Sequence, residues 1–146
     1  MKKRILILAL LLTGISYSFA NTTDGINKKT VASFNKDFSN AHDIRWERKN
    51  DFVLVTFSYN NAVMFAYYTT EGDLIAVARN ILSDRLPISQ LLSLKKNYSD
   101  YWISDLFEVS KNHDTFYYVT LENADHKMVL KSVNDGSWDV YSKKEK

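Results

Sequence analysis

The sequence predicts an α+β fold: two tandem helix–four-strand repeats forming one antiparallel sheet with both helices on one face. Three observations predict it. Apolar residues recur at helical spacing in two short segments. Each segment is followed by four runs rich in β-branched and aromatic residues. Short polar stretches of hairpin length separate those runs.

The first twenty residues read as an export signal, outside that fold. Lys2, Lys3 and Arg4 form a basic start, Ile5 to Leu12 an unbroken apolar run, and Ser18-Phe19-Ala20 a small-x-small cleavage pattern. A membrane anchor takes about 20 mostly apolar residues, and Thr13, Gly14, Ser16 and Ser18 interrupt this run too early. The expectation is cleavage before Asn21, a periplasmic or secreted location, and no membrane span afterwards. Of 146 residues, 126 then remain as one domain, residues 21–146, with repeats at about 27–82 and 83–142. Loss of Lys2, Lys3 and Arg4 lowers the basic count from 19 to 16 against 17 acids, a formal charge of −1. That balance offers no electrostatic footprint for nucleic acid. Cysteine is absent, which excludes both a lipid-anchored cysteine and disulfides, although an exported compartment would permit the latter.

The first helix is expected from about Asn27 to Ser39, with Val31, Phe34 and Phe38 as its apolar stripe. Strands follow at about Ile44–Arg48, Phe52–Tyr59, Ala62–Thr69 and Leu74–Ile81. Asn60-Asn61 suits a tight turn at positive φ. Pro87 fits the first turn of a second helix, where its missing N–H is not needed. That helix runs to about Tyr98 with Leu91, Leu94 and Tyr98 on its stripe. Four more strands lie at about Trp102–Ser110, Phe116–Glu122, Lys127–Val133 and Trp138–Tyr141, leaving Lys143–Lys146 as a solvated tail. Phe38 and Tyr98 stand 60 positions apart, and Gly72 and Gly136 stand 64 apart, which is the spacing of a duplication.

Several of these stretches carry a family resemblance. Phe34…Phe38-Ser39-Asn40-Ala41…Ile44-Arg45-Trp46-Glu47 resembles the passage from helix to strand in PepSY-like domains, the group related to the β-lactamase-inhibitor-like proteins. Tyr68-Thr69-Thr70-Glu71-Gly72-Asp73 is similar to the family's aromatic-to-glycine turn, and Ile81…Leu86-Pro87 to its Leu-Pro helix start. Tyr98 and Val133-Asn134-Asp135-Gly136 repeat the pattern. The second half departs from it at Asp100-Tyr101-Trp102-Ile103, because Trp102 is out of register with Trp46. The resemblance implies a two-repeat fold like that of the inhibitor domains. It does not imply inhibition of a β-lactamase, because function resides in a site and not in a fold.

Period-2 alternation assigns the sheet faces. Arg45 and Glu47 alternate with Ile44 and Trp46, so Ile44 and Trp46 face the helix, and the resemblance implies a register that puts Val53, Val55, Phe57, Met64, Ala66 and Tyr68 on the same face. Phe52, Leu54, Thr56, Val63, Phe65, Tyr67, Leu74, Ala76 and Ala78 take the other face, joined by Phe116, Tyr118, Thr120, Lys127, Val129 and Lys131. An outer face of a one-layer sheet should be polar, and an apolar one marks a binding surface. Phe52, Leu54, Val63, Phe65, Tyr67, Phe116 and Tyr118 are therefore the expected partner-binding residues.

The sequence carries no catalytic constellation. His42, His113 and His126 do not converge at metal-ligand spacing. The carboxylates are scattered over turns and outward strand positions, no serine sits in a nucleophile elbow, and no glycine-rich loop could cradle a phosphate. No catalytic, metal or cofactor-binding residue is expected. The expected function is an exported non-enzymatic interaction module that binds a protein partner or itself, with inhibition of an envelope protein implied by the resemblance. The alternative is a carrier of a small hydrophobic ligand.

Overall fold

The structure, a computed structural model, describes residues 23–133 and 136–146. Residues 1–22, with the expected export signal, and Asn134-Asp135 lie outside the described residues.

Helix α1 (Lys28–Asp37) starts where Asn27 caps it. The Asn27 side chain accepts from the Lys29 N–H at 2.9 Å, and its amide donates to the Thr70 carbonyl at 3.2 Å. Strands β1 (His42–Arg48), β2 (Val53–Tyr59), β3 (Ala62–Tyr68) and β4 (Leu74–Asn80) follow. A short 3-10 turn at Ser83–Arg85 leads to α2 (Ile88–Asn97). Pro87 lies just before that helix, at ψ 140°, and not in its first turn as expected. Then come β5 (Trp102–Lys111), β6 (Asp114–Glu122), β7 (His126–Ser132) and β8 (Trp138–Glu145). All eight strands pair antiparallel in chain order, in one sheet. Asn60 and Asn61 both adopt positive φ, as their tight turn requires.

This architecture corrects the expected fold class. Among the described residues the chain is mostly sheet: eight strands of seven to ten residues against two α-helices of ten. It is a single eight-stranded meander, and a division into tandem helix–strand repeats is not shown. The reason is visible at the middle of the sheet. Strands β4 and β5 pair directly from Val77↔Ser110 to Asn80↔Phe107. One apolar cluster crosses that junction, joining Phe52, Leu54, Tyr67, Ala76 and Ala78 to Phe107 and Val109. A unit ending near residue 82 would leave this cluster without its other half.

A second correction concerns the C-terminus. Lys143 and Lys144 belong to β8, paired with Met128 and Lys127 of β7. Lysines on an edge strand keep water on one side without preventing pairing on the other.

On the helix side the core forms two clusters. Phe34 packs on Val53, Val55, Phe57, Ala66 and Tyr68, while Leu86 and Leu94 pack on Leu106, Val119, Leu121, Met128, Leu130 and Trp138. Between them the Arg79 guanidinium meets Glu108 at 2.8 Å. Each helix start is crossed at close range by a hairpin turn. Gly72 lies against the backbone of Lys29 and Thr30, and Gly136 against Ser89.

Candidate functional site

The sheet face turned away from α1 and α2 is an assembly of aromatic side chains that neither of these helices covers. Its shape follows from the small residues of β4. Ala78 sits between Phe65 of β3 and Val109 of β5, and Ala76 lies beside Tyr67. With only methyl groups between them, the Phe65 and Phe107 rings meet above β4 with centroids 6.0 Å apart. Their strands are two sheet spacings apart, about 9.6 Å in a flat sheet. Tyr118 of β6 and Tyr141 of β8 likewise meet at 5.9 Å. Rings converging across an intervening strand make this face concave, and the helices lie on the convex side.

Concavity changes the exposure of the residues read from the sequence. Phe52, Leu54 and Tyr67 are 3%, 8% and 1% exposed, and among the described residues no helix lies over them. They form a floor. Phe65, Phe116 and Tyr118 are half-buried, and Val63 is exposed at the rim. Leu74 does not join this face. A bulge between Tyr67 and Tyr68 sets Leu74 opposite Tyr68, on the helix side, and Ile75 packs on the concave cluster instead.

The sequence reading missed several members of this surface. Phe107 and Val109 join the floor. Trp102 is 55% exposed, and the Lys146 ammonium lies 5.1 Å from its ring centre. Lys131 lies 4.4 Å from the Phe116 ring centre and 6.0 Å from that of Tyr118. Lys127 and Lys146 both bond the Glu122 carboxylate, at 3.0 and 2.8 Å. These contacts hold Glu122 at a pKa of about 2, the Lys146 hydrogen bond contributing most, then Lys127 and Ser104. Burial, and then the neighbouring Tyr141, push the Tyr118 hydroxyl up to about 12. The surface is thus an aromatic bowl with a lysine-rich end. Alternation alone could have placed Phe107 and Val109, but a bulge between Ile103 and Asp105 shifts the register of β5 midway.

The histidines stand apart. His42 bonds the neighbouring Asp43 carboxylate at 2.8 Å, His113 sits in the β5–β6 turn at φ 70°, and His126 begins β7. Among the described residues no group of three His, Cys, Asp or Glu side chains could hold a metal ion. No described helix is long and apolar enough to cross a membrane.

No protein-family model and no curated protein matches the sequence. Solved structures do match in fold. A Bacteroides eggerthii protein described as periplasmic superposes with a TM-score of 0.72 at 12% identity, covering 82% of this chain and 88% of its own. A DUF2874 family protein from Bacteroides ovatus gives 0.71 at 14% identity over 81% and 86%. A BLIP-like protein from Bacteroides fragilis gives 0.68 at 15% identity over 89% of each chain. What is shared at these identities is the fold: the chain has the fold of the DUF2874 and BLIP-like, that is β-lactamase-inhibitor-like, proteins.

Proposed function

We propose that residues 21–146 are an exported, non-enzymatic interaction module, periplasmic or secreted, of the PepSY-like branch, that binds an envelope protein in its concave sheet face. The observation that carries this reading is the bowl itself. It presents half-buried Phe65, Phe116 and Tyr118 around a buried aromatic floor, with exposed Val63 and Trp102 at its edges. Aromatic residues supply most interface energy, and a rigid preformed bowl limits the ordering cost of binding. The export signal and the fold shared with a periplasmic and a BLIP-like protein support the same reading. An envelope hydrolase or protease is the partner class, and blocking its active site is the simplest consequence of occupying a loop in such a bowl.

The test uses immobilised residues 21–146 and an envelope extract. Partner capture is expected from the unaltered chain and from Leu92→Glu, on the exposed side of α2, and is expected to be lost in Phe65→Glu and Trp102→Glu. Equal capture by all four proteins would refute the assignment of the face. Light scattering on the same samples separates the second occupant, another copy of the chain: a dimer converted to monomer by Phe65→Glu assigns the bowl to self-association.

A further inference from the structure

A cleft of about 340 Å³ lies on the opposite, convex side, where the C-terminal half of α2 meets β5 and β6. Leu94 and Leu121 line it with Tyr98, Tyr101 and Ile103. Its origin is a deficit of side-chain volume. Beneath the end of α1, β2 supplies rings. Phe38 packs 4.7 Å from Phe57 and 5.9 Å from Tyr59, and Phe34 packs 4.9 Å from Phe57 and 5.1 Å from Trp46. Beneath the end of α2, β6 supplies the aliphatic Leu121, with Val119 and Tyr117 in the same cluster. Ile103 pairs with buried Leu121, yet stays 39% exposed. Interiors are close-packed with few voids, so an apolar cleft of this size open to solvent is a place for an apolar ligand.

Two features narrow the ligand. The volume is at the small end of ligand pockets, about 300–1,000 Å³, which suits one acyl chain and not two. Among the described residues, Lys95 is the one charged side chain lining the cleft, and it makes no ion pair with any of them. It stands in the last turn of α2, with Ser83 and Ser99 also at the lining. We propose that this cleft binds a single-chain amphiphile with an anionic head. Its tail lies on Leu94, Leu121 and Ile103 beside the rings of Tyr98 and Tyr101, and its head meets the Lys95 ammonium. The proposal does not depend on the protein-binding reading of the concave face.

Calorimetric titration of residues 21–146 with decanoate and with decanol tests it. Decanoate is expected to bind at one site, and decanol at least tenfold more weakly. Lys95→Met should bring decanoate down to the level of decanol. Ile103→Trp, which fills the cleft from its exposed lip, should abolish both, and Ser99→Trp serves the same purpose should circular dichroism show Ile103→Trp to be unfolded. Absence of saturable decanoate binding, or unchanged binding in the folded tryptophan variant, would overturn the site. Equal affinity for decanoate and decanol in the unaltered chain would overturn the anionic head.

Discussion

Gly72→Ala is expected to be among the most damaging single-methyl changes in this protein. The glycine sits at φ 97°, in the left-handed region, where an L side chain costs about 1–2 kcal/mol. A Cβ there would also lie 3.0 Å from the carbonyl carbon of Lys29 and from the backbone nitrogen of Thr30. Those atoms belong to the first turn of α1 and cannot rotate aside. Overpacking of this kind costs about 1–3 kcal/mol. The total, about 2–5 kcal/mol, is a large part of the roughly 5–15 kcal/mol that holds a domain together. At this chain length it corresponds to a fall in Tm of roughly 10 °C or more. Gly25→Ala is the internal control, since Gly25 has φ 77° but its Cβ would meet only the Arg48 guanidinium, at 3.9 Å. It should show the conformational cost alone. Urea and thermal unfolding followed by circular dichroism measure both variants. A Gly72→Ala loss no larger than that of Gly25→Ala would refute the close-approach argument.

Three further outcomes are expected. Asn27→Ala removes both the cap on Lys29 and the bond to the Thr70 carbonyl, and should cost about 1–2 kcal/mol in urea unfolding. The folded pKa of Glu122, about 2, lies below its ordinary value of 4.5. Its charge therefore stabilises the fold above pH 4.5, and that contribution is lost as pH falls toward 2. Glu122→Gln should flatten the dependence of Tm on pH across this window, and an unchanged slope would show that the lysine contacts do not matter to folding. Tyr68→Phe keeps the ring in the α1 core but removes the 2.9 Å bond to Asp37. It should cost about 0.5–1.5 kcal/mol, and a loss above 3 kcal/mol would mean that the ring has repacked.

Legibility in the sequence followed the range of each interaction. Strand β2, expected at Phe52–Tyr59, is found at Val53–Tyr59, and β4, expected at Leu74–Ile81, is found at Leu74–Asn80. Alternation is a local property, and it sorted Ile44 and Trp46 onto the helix side, while the register implied by the family resemblance added Val53, Val55 and Phe57, which pack on Phe34. Bulges defeated it. Leu74 changed faces because one extra residue entered β4 opposite Tyr67 and Tyr68, and β1 is similarly interrupted at Asp43, which has φ 53°. Lys143 and Lys144 read as a tail because their side chains prefer water, whereas their backbone found a partner in β7. The candidate surface was legible as a set of aromatics but not as a shape. Phe52, Leu54 and Tyr67 stand on the face that was expected, and are buried where a flat sheet would expose them.

By itself the sequence determined which residues form helices and strands, where the tight Asn60-Asn61 turn falls, and which side of most strands is apolar. These depend on backbone preferences and on periods of two and 3.6 residues, all set within a few positions. Only the tertiary structure decided that the eight described strands pair in chain order with β4 directly beside β5, that alanines on β4 let rings from β3 and β5 close a concave face, and that a cleft stays open beside α2. Those outcomes depend on side chains brought together from distant parts of the chain. Curvature and filled volume are properties of the assembled sheet, so no single segment encodes them.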